Sequence, residues 1–170
     1  MKGTKRLAVL AMFTAIALTI FVAEAQIPPI VPIPGVKLGL ANIVTLIAMA
    51  LLGRRQAGEI LLVRIVLGSM FTGGVSAMLF SIAGGVFAYL IMCLTIRHFP
   101  ERLLWVVSVL AAFGHNAGQL LVAVWVTGTP SILVYAPALV AASVITGAFT
   151  GAAAMYLVRA LRKTGHFPQE

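Results

Sequence analysis

The chain has 170 residues, of which 61% are hydrophobic and 9% are charged. Its mean hydropathy of +1.08 is too high for one soluble core of this length, so we expect an integral membrane protein whose remaining apolar surface is covered by lipid. The net charge of +8 fits a nucleic-acid partner, but the basic residues form no stripe with interleaved aromatic residues, and we predict no nucleic-acid binding.

The positions of the basic residues predict how the chain crosses the membrane. We predict an all-α, polytopic protein with six transmembrane helices, at about 7–26, 38–53, 57–72, 77–97, 103–126 and 131–159, in one domain over residues 1–170. Lys and Arg collect in short cytoplasmic loops, which places both termini in the cytoplasm. Ten of the twelve basic residues fall at every second break between spans: Lys2, Lys5, Arg6, Arg54, Arg55, Arg97, Arg102, Arg159, Arg162 and Lys163.

The first span begins like a secretory signal peptide, with a basic start and an apolar stretch. Because the apolar stretch is longer than a usual signal core, we expect a retained first helix. Small residues recur four apart on this helix at Ala11 and Ala15, and again in the fifth and sixth spans. Such pairs let helices approach closely, either within the chain or against another subunit.

The segment from 27 to 35 contains four prolines and cannot be helical. It is predicted to be either a stiff connector on the outer membrane surface or a lid over an outward-facing cavity. Spans two and three have only about 16 residues each, fewer than a perpendicular crossing needs, which favours a cavity in the bundle.

Polar residues inside the spans are the candidates for function, because burying them in lipid is costly. Arg64 lies near the middle of the third span, and the opposed directions of the spans bring the other candidates to the same middle-to-outer level. We predict a cationic, amide-rich pocket for an anionic ligand, formed by Lys37, Asn42, Arg64, His115, Asn116 and Gln119.

Alternative roles remain open for three of these residues. Arg64 is also able to pair with Glu24 or with a helix carbonyl. His115 fits an interhelical hydrogen bond as well as a ligand contact, and Lys37 fits an interfacial position with its ammonium group in the headgroup region.

No catalytic motif is present in the sequence. The chain has no aspartate, no phosphate-binding Gly-rich loop with a lysine, no Gly-x-Ser-x-Gly elbow and no His-Glu-x-x-His helix. Its lone cysteine, Cys93, excludes an intramolecular disulfide and a thiolate metal cluster. We therefore predict a protein that is not an enzyme by itself and that uses no cofactor and no metal.

Four stretches resemble the Gx transporter family, which is also labelled heptaprenyl diphosphate synthase component I. They are residues 36–46 (VKLGLANIVTL), 64–68 (RIVLG), 81–85 (SIAGG) and 114–121 (GHNAGQLL). That family is similar, more distantly, to the substrate-binding S components of energy-coupling factor (ECF) transporters. The resemblance implies a six-helix bundle with an outer pocket, in the cytoplasmic membrane of a prokaryote, whose Ala11 and Ala15 contact a transmembrane coupling subunit.

Two functions follow from the residues and the resemblance together. The first is a substrate-binding subunit for uptake of a small vitamin-like or isoprenoid-related anion, energised by separate ABC ATPases. The alternative is a non-catalytic membrane subunit that assists heptaprenyl diphosphate or isoprenoid quinone synthesis, or a membrane flavin or quinone redox system. A purely structural scaffold is a third possibility. Prenyl diphosphate synthases use aspartate-rich magnesium motifs, so any synthase role of this chain is accessory.

Overall fold

The structure, a computed structural model, describes residues 3–27, 37–72, 75–165 and 167. These residues form six α-helices, two short 3-10 helices and no strand, which confirms the predicted all-α class. The α-helices are α1 (Gly3–Glu24), α2 (Asn42–Leu52), α3 (Arg54–Thr72), α4 (Val75–Thr95), α5 (Leu104–Thr127) and α6 (Ala136–Lys163). The 3-10 helices, Glu101–Leu103 and Pro130–Tyr135, precede α5 and α6.

Four of the helical stretches in the described part of the chain are long and apolar enough to cross a membrane: Gly3–Glu24, Val75–Thr95, Glu101–Thr127 and Pro130–Lys163. Helix α2 is apolar but has only 11 residues. At 1.5 Å per residue its length is about 16 Å, roughly half of a bilayer core. The four long helices support a membrane protein, whereas six complete crossings with both termini inside remain a prediction.

The turn between α2 and α3 is tighter than predicted. Gly53 alone separates the two helices and has a φ of 97°, which a residue with a side chain rarely adopts. The first backbone bond of α3 runs from the Ala57 N–H to the Gly53 carbonyl, at 3.2 Å. Arg54 and Arg55, predicted to lie in a loop, therefore form the first turn of α3.

The glycine pairs of the fifth and sixth spans allow close packing within the chain. A Cβ added to Gly118 would lie 2.7 Å from the Ala83 carbonyl oxygen of α4, and one added to Gly147 would lie 2.6 Å from the Val109 Cα of α5. These glycines thus let α4, α5 and α6 pack backbone to backbone. Ala11 and Ala15 are different, because both are exposed, on the face of α1 that points away from the bundle.

Helix α1 packs on α3 and contributes buried side chains to the bundle. Phe13, Ala17 and Phe21 are buried along one face, and Phe21 lies so close to Gly68 that an added Cβ there would be 2.6 Å from its ring. At the basic end, Arg6 pairs with Glu59 at 3.2 Å. Helix α1 is therefore an integral part of the bundle and not a peripheral segment.

The connections between predicted spans that we expect on the outer side are only partly described by the structure. The stretch between the fifth and sixth predicted spans contains a turn: Gly128 has a φ of 63°, and its N–H donates to the Val124 carbonyl at 2.9 Å. The glycine pair at 73–74 and most of the proline-rich segment, residues 28–36, lie outside the described residues, so the choice between a lid and a connector stays open.

Candidate functional site

Buried polar side chains from α1, α2, α3 and α5, together with the half-buried Lys37 that precedes α2, collect between the end of α1 and the middle of α3 and α5. We call this group the buried polar cluster. Exposing any of these polar side chains to lipid would cost free energy, and the fold avoids this cost by placing them together inside the bundle. Its members are Glu24, Lys37, Asn42, Thr45, Arg64, His115 and Gln119.

The Glu24 carboxylate is occupied by backbone donors. One oxygen accepts the Gly39 N–H at 2.5 Å, and the other accepts the Ala41 N–H at 3.5 Å. Gly39 has a φ of 77°, which turns the chain so that successive N–H groups point at one carboxylate. Glu24 thus ties the end of α1 to the start of α2.

Lys37 makes one contact through its backbone and another through its ammonium group. Its backbone N–H donates to the Gln119 side-chain oxygen at 3.1 Å, and its ammonium nitrogen lies 3.6 Å from the centroid of the Phe21 ring. That nitrogen is buried and has no hydrogen-bond partner in the described part of the chain. The Lys37 ammonium group therefore lies against Phe21 inside the bundle, and its assignment to a binding pocket stays a prediction.

Arg64 is 2% exposed and lies beside the same aromatic ring. Its guanidinium carbon is 5.4 Å from the Phe21 centroid, and its Nε is buried without a hydrogen bond among the described residues. Arg64 forms no salt bridge with Glu24 or with another described carboxylate, since those found involve only Glu59 and Glu101. The structural ion pair that the sequence left open is absent from the described part of the structure.

His115 is positioned by an amide and by two glycines. The Asn42 side-chain nitrogen lies 3.1 Å from the His115 Nδ1. An amide nitrogen is only a donor, so with this amide orientation Nδ1 accepts and the neutral ring carries its proton on Nε2. A Cβ added to Gly84 would lie 2.6 Å from the ring, and one on Gly39 would lie 2.8 Å from it. Both glycines make room for the imidazole.

Asn116 belongs to a separate contact. Its side-chain nitrogen donates to the Leu139 carbonyl at 3.1 Å and to the Ser143 hydroxyl at 2.7 Å, which joins α5 to α6. The neighbouring predicted residues His115 and Gln119 face the cluster instead. Asn116 was predicted to bind a ligand, and its amide nitrogen is already engaged by α6.

Sequence reasoning missed three contributors to this cluster. Phe21 resembles any other apolar residue of α1, and only the fold shows that two cations share its ring. Gly39 and Gly84 lie within the stretches 36–46 and 81–85, and their close approach to a histidine requires the tertiary structure.

The charges and unpaired groups of the cluster favour an anion. The buried Arg64 and the half-buried Lys37, whose ammonium nitrogen is buried, share the cluster with one carboxylate, and that carboxylate already accepts backbone hydrogen bonds. The Lys37 Nζ and the Arg64 Nε are buried donors without a hydrogen-bond partner among the described residues, and the Thr45 hydroxyl is able to donate as well. An unpaired buried donor costs roughly 1–3 kcal/mol. An oxygen-rich anion is the ligand that satisfies several such donors together.

Within the described residues, no group of three or more His, Cys, Asp or Glu side chains is placed to hold a metal ion. His115 has no carboxylate or thiol within such a group, so the cluster lacks the donor set of a protein metal site.

Comparison with known proteins gives a family. No curated protein and no solved structure matches the chain. The family model described as heptaprenyl diphosphate synthase component I matches residues 13–157, which include all of the predicted ligand-binding residues and the buried polar cluster. The chain therefore belongs to the heptaprenyl diphosphate synthase component I family.

Proposed function

We propose that this chain is a non-catalytic membrane subunit that holds an isoprenoid-related anion in the buried polar cluster and assists heptaprenyl diphosphate synthesis. The observation that carries the proposal is the surplus positive charge at Lys37 and Arg64, beside a Glu24 carboxylate that is engaged elsewhere. The family description supports the synthase context, and it implies a partner component of the synthase.

The surroundings of the two cations indicate the class of ligand. Lys37 and Arg64 both lie against the Phe21 ring, so an anion bound between them is next to an apolar wall. Gln119, His115 and Thr45 are further buried polar side chains of the same cluster. An amphipathic anion, with a charged head and an apolar part, fits this combination better than a small hydrated ion does.

The accessory role follows from the missing catalytic groups. Transfer of a prenyl group from a diphosphate needs magnesium held by clustered carboxylates, which this sequence does not contain. On this proposal the chain binds or presents an anion at the membrane, and a separate component supplies the magnesium and the catalysis.

A test in cells separates this role from others. The gene for the chain is deleted from its host and replaced by wild type, by Arg64→Gln or by the control Arg55→Gln, and the heptaprenyl products are measured by mass spectrometry. The proposal predicts that deletion and Arg64→Gln lower the heptaprenyl content, whereas Arg55→Gln restores it. Unchanged prenyl products in the deletion strain would reject the synthase role.

A second candidate function is uptake, in which the same cluster captures a vitamin-like anion for an ECF-type coupling subunit and ABC ATPases. The observation that favours it is the exposed pair Ala11 and Ala15, which leaves a smooth strip on the outer face of α1. Reduced accumulation of a labelled anion in the deletion strain, with normal prenyl products, would select uptake over the synthase role.

Both candidates rest on a location in the cytoplasmic membrane with the basic ends of the helices inside. Cysteine labelling in a Cys93→Ser background tests this orientation. A cysteine replacing Arg54 is expected to react only from the cytoplasmic side, and one replacing Thr129 only from the outside. Reaction of the first from the outside reverses the topology.

A further inference from the structure

A cavity of about 250 Å³ lies at the basic end of the bundle, around the end of α2, whereas the buried polar cluster lies around the start of α2. It forms where α2 ends, α3 begins and α6 ends, and we call it the inner cavity. Its volume is close to the lower limit of small-molecule sites, roughly 300–1,000 Å³. Nothing in the proposed function uses it.

The inner cavity has an apolar side and a charged side. Ile96, Phe99 and Leu104 line it with apolar side chains from the end of α4 to the start of α5. Arg54, Arg162 and Glu101 supply its charges. A space with an apolar wall and a charged edge at a membrane boundary suits an amphipathic molecule.

The charge balance at this edge is positive. Glu101 pairs with Arg162 at 3.0 Å and with Arg159 at 3.6 Å, so two cations already share one carboxylate. Arg162 also donates to the Ala50 carbonyl at 3.4 Å, which holds its guanidinium at the end of α2. The surplus charge therefore lies in a fixed position at the cavity.

Arg54 adds a second surplus charge. Its side chain is exposed and forms no salt bridge among the described residues. It is also the first residue of the 19-residue helix α3, in which Ala57 is the first residue whose N–H donates a helical hydrogen bond, to the Gly53 carbonyl. The N–H groups before Ala57 are thus unused by the helix, and the end of a helix with free N–H groups attracts anions.

We infer that the inner cavity is a second binding site, which takes the phosphate group of an amphipathic phosphate ester with the ester's first carbons against Phe99 and Leu104. Two chemical sources present this group at a membrane: the headgroup of an anionic phospholipid and the diphosphate of a prenyl diphosphate. Phosphate oxygens match arginine forks and helix N–H groups together. The inference does not depend on the proposed function, because it uses none of the buried polar cluster.

The test is a titration of the full-length chain in detergent, followed by native mass spectrometry. The probes are farnesyl diphosphate, phosphatidylglycerol and, as a zwitterionic comparison, phosphatidylcholine. All titrations are repeated in Arg64→Gln, so that binding in the buried polar cluster is separated from binding in the inner cavity. Phosphate-ester binding that persists in Arg64→Gln is assigned to the inner cavity.

Arg54→Gln is the informative variant, and Arg55→Gln is its matched control. Both residues are exposed in the first turn of α3, but Arg55 pairs with Glu59 at 3.3 Å and does not line the inner cavity. Loss of one arginine near a phosphate is expected to weaken binding by about five- to tenfold. Arg55→Gln is expected to change it by less than about twofold.

Glu101→Gln gives a prediction of the opposite sign. Removing the carboxylate releases Arg159 and Arg162 for the phosphate, so binding is expected to strengthen. Preference for farnesyl diphosphate supports a diphosphate ester as the ligand, and preference for phosphatidylglycerol supports a phospholipid. Equal binding by Arg54→Gln and Arg55→Gln, or equal binding of phosphatidylcholine, overturns the inference.

Discussion

Substitution of Glu24 and of Arg64 distinguishes a buried ion pair from two charges with separate partners, because the two arrangements lose stability differently on mutation. Removing either partner of a buried pair costs about 3–5 kcal/mol, and the two losses are similar. Here Glu24 accepts two backbone N–H groups, whereas Arg64 forms no salt bridge and its Nε has no hydrogen bond in the described structure. The two substitutions to glutamine should therefore differ.

The expected losses follow from the contacts that each substitution removes. Glu24→Gln loses charge-assisted hydrogen bonds worth about 1.5–3 kcal/mol, which lowers the melting temperature by roughly 3–12 °C. Arg64→Gln loses the contact with Phe21, worth about 0.5–2 kcal/mol, and the longer-range attraction to Glu24, but it removes a charge whose burial costs roughly 2.5–3.5 kcal/mol on insertion scales. Its melting temperature is expected to stay level or to rise.

Thermal unfolding in detergent, followed by intrinsic fluorescence in the absence of added ligand, measures the difference. Glu59→Gln and Arg55→Gln are the controls, since they make the same chemical changes in partly exposed ion pairs at the basic end, where each pair is worth about 1 kcal/mol or less. Equal losses above about 3 kcal/mol for Glu24→Gln and Arg64→Gln would refute separate roles and establish a structural ion pair.

Three further substitutions test the packing, the cluster and the partner surface. Gly84→Ala places a Cβ 2.6 Å from the His115 ring, so we expect about 1–3 kcal/mol of lost stability and less bound anion, read by melting temperature and native mass spectrometry. Gly147→Ala places a Cβ 2.6 Å from the α5 backbone and should also cost about 1–3 kcal/mol of stability. The control Gly3→Ala, whose Cβ would have no heavy atom within 4 Å, should cost less than about 0.5 kcal/mol. Equal losses would contradict the close packing. Ala15→Trp lies on an exposed face, so the melting temperature should stay the same while a membrane partner is lost in co-purification; retention of every partner would reject this surface.

The fold class and the approximate helix positions were predictable from sequence because lipid demands long apolar stretches. The error at the second span has a physical cause. Hydropathy continues through residues 38–41, but Glu24 binds the N–H groups of Gly39 and Ala41, so α2 begins only at Asn42. A contact between α1 and α2 decided the helix start, and no local pattern contains that information.

The buried polar cluster was predictable in part. Charged and amide side chains inside apolar spans marked Arg64, His115 and Gln119, because such residues rarely face lipid. The opposed directions of the helices then predicted a shared level in the membrane. The partners of these side chains could not be predicted from the sequence. Whether Arg64 pairs with Glu24, and whether Asn116 bonds to α6, depends on a few ångströms of side-chain position.

The central claim is that the buried polar cluster binds an anion through Arg64. Native mass spectrometry of the chain purified from its own membranes tests it most directly, with Arg64→Lys and Arg64→Gln purified in parallel. We expect an added mass of one anionic molecule on wild type, partly retained by Arg64→Lys and lost from Arg64→Gln. A wild-type chain of bare mass, or the same added mass on Arg64→Gln, would contradict it.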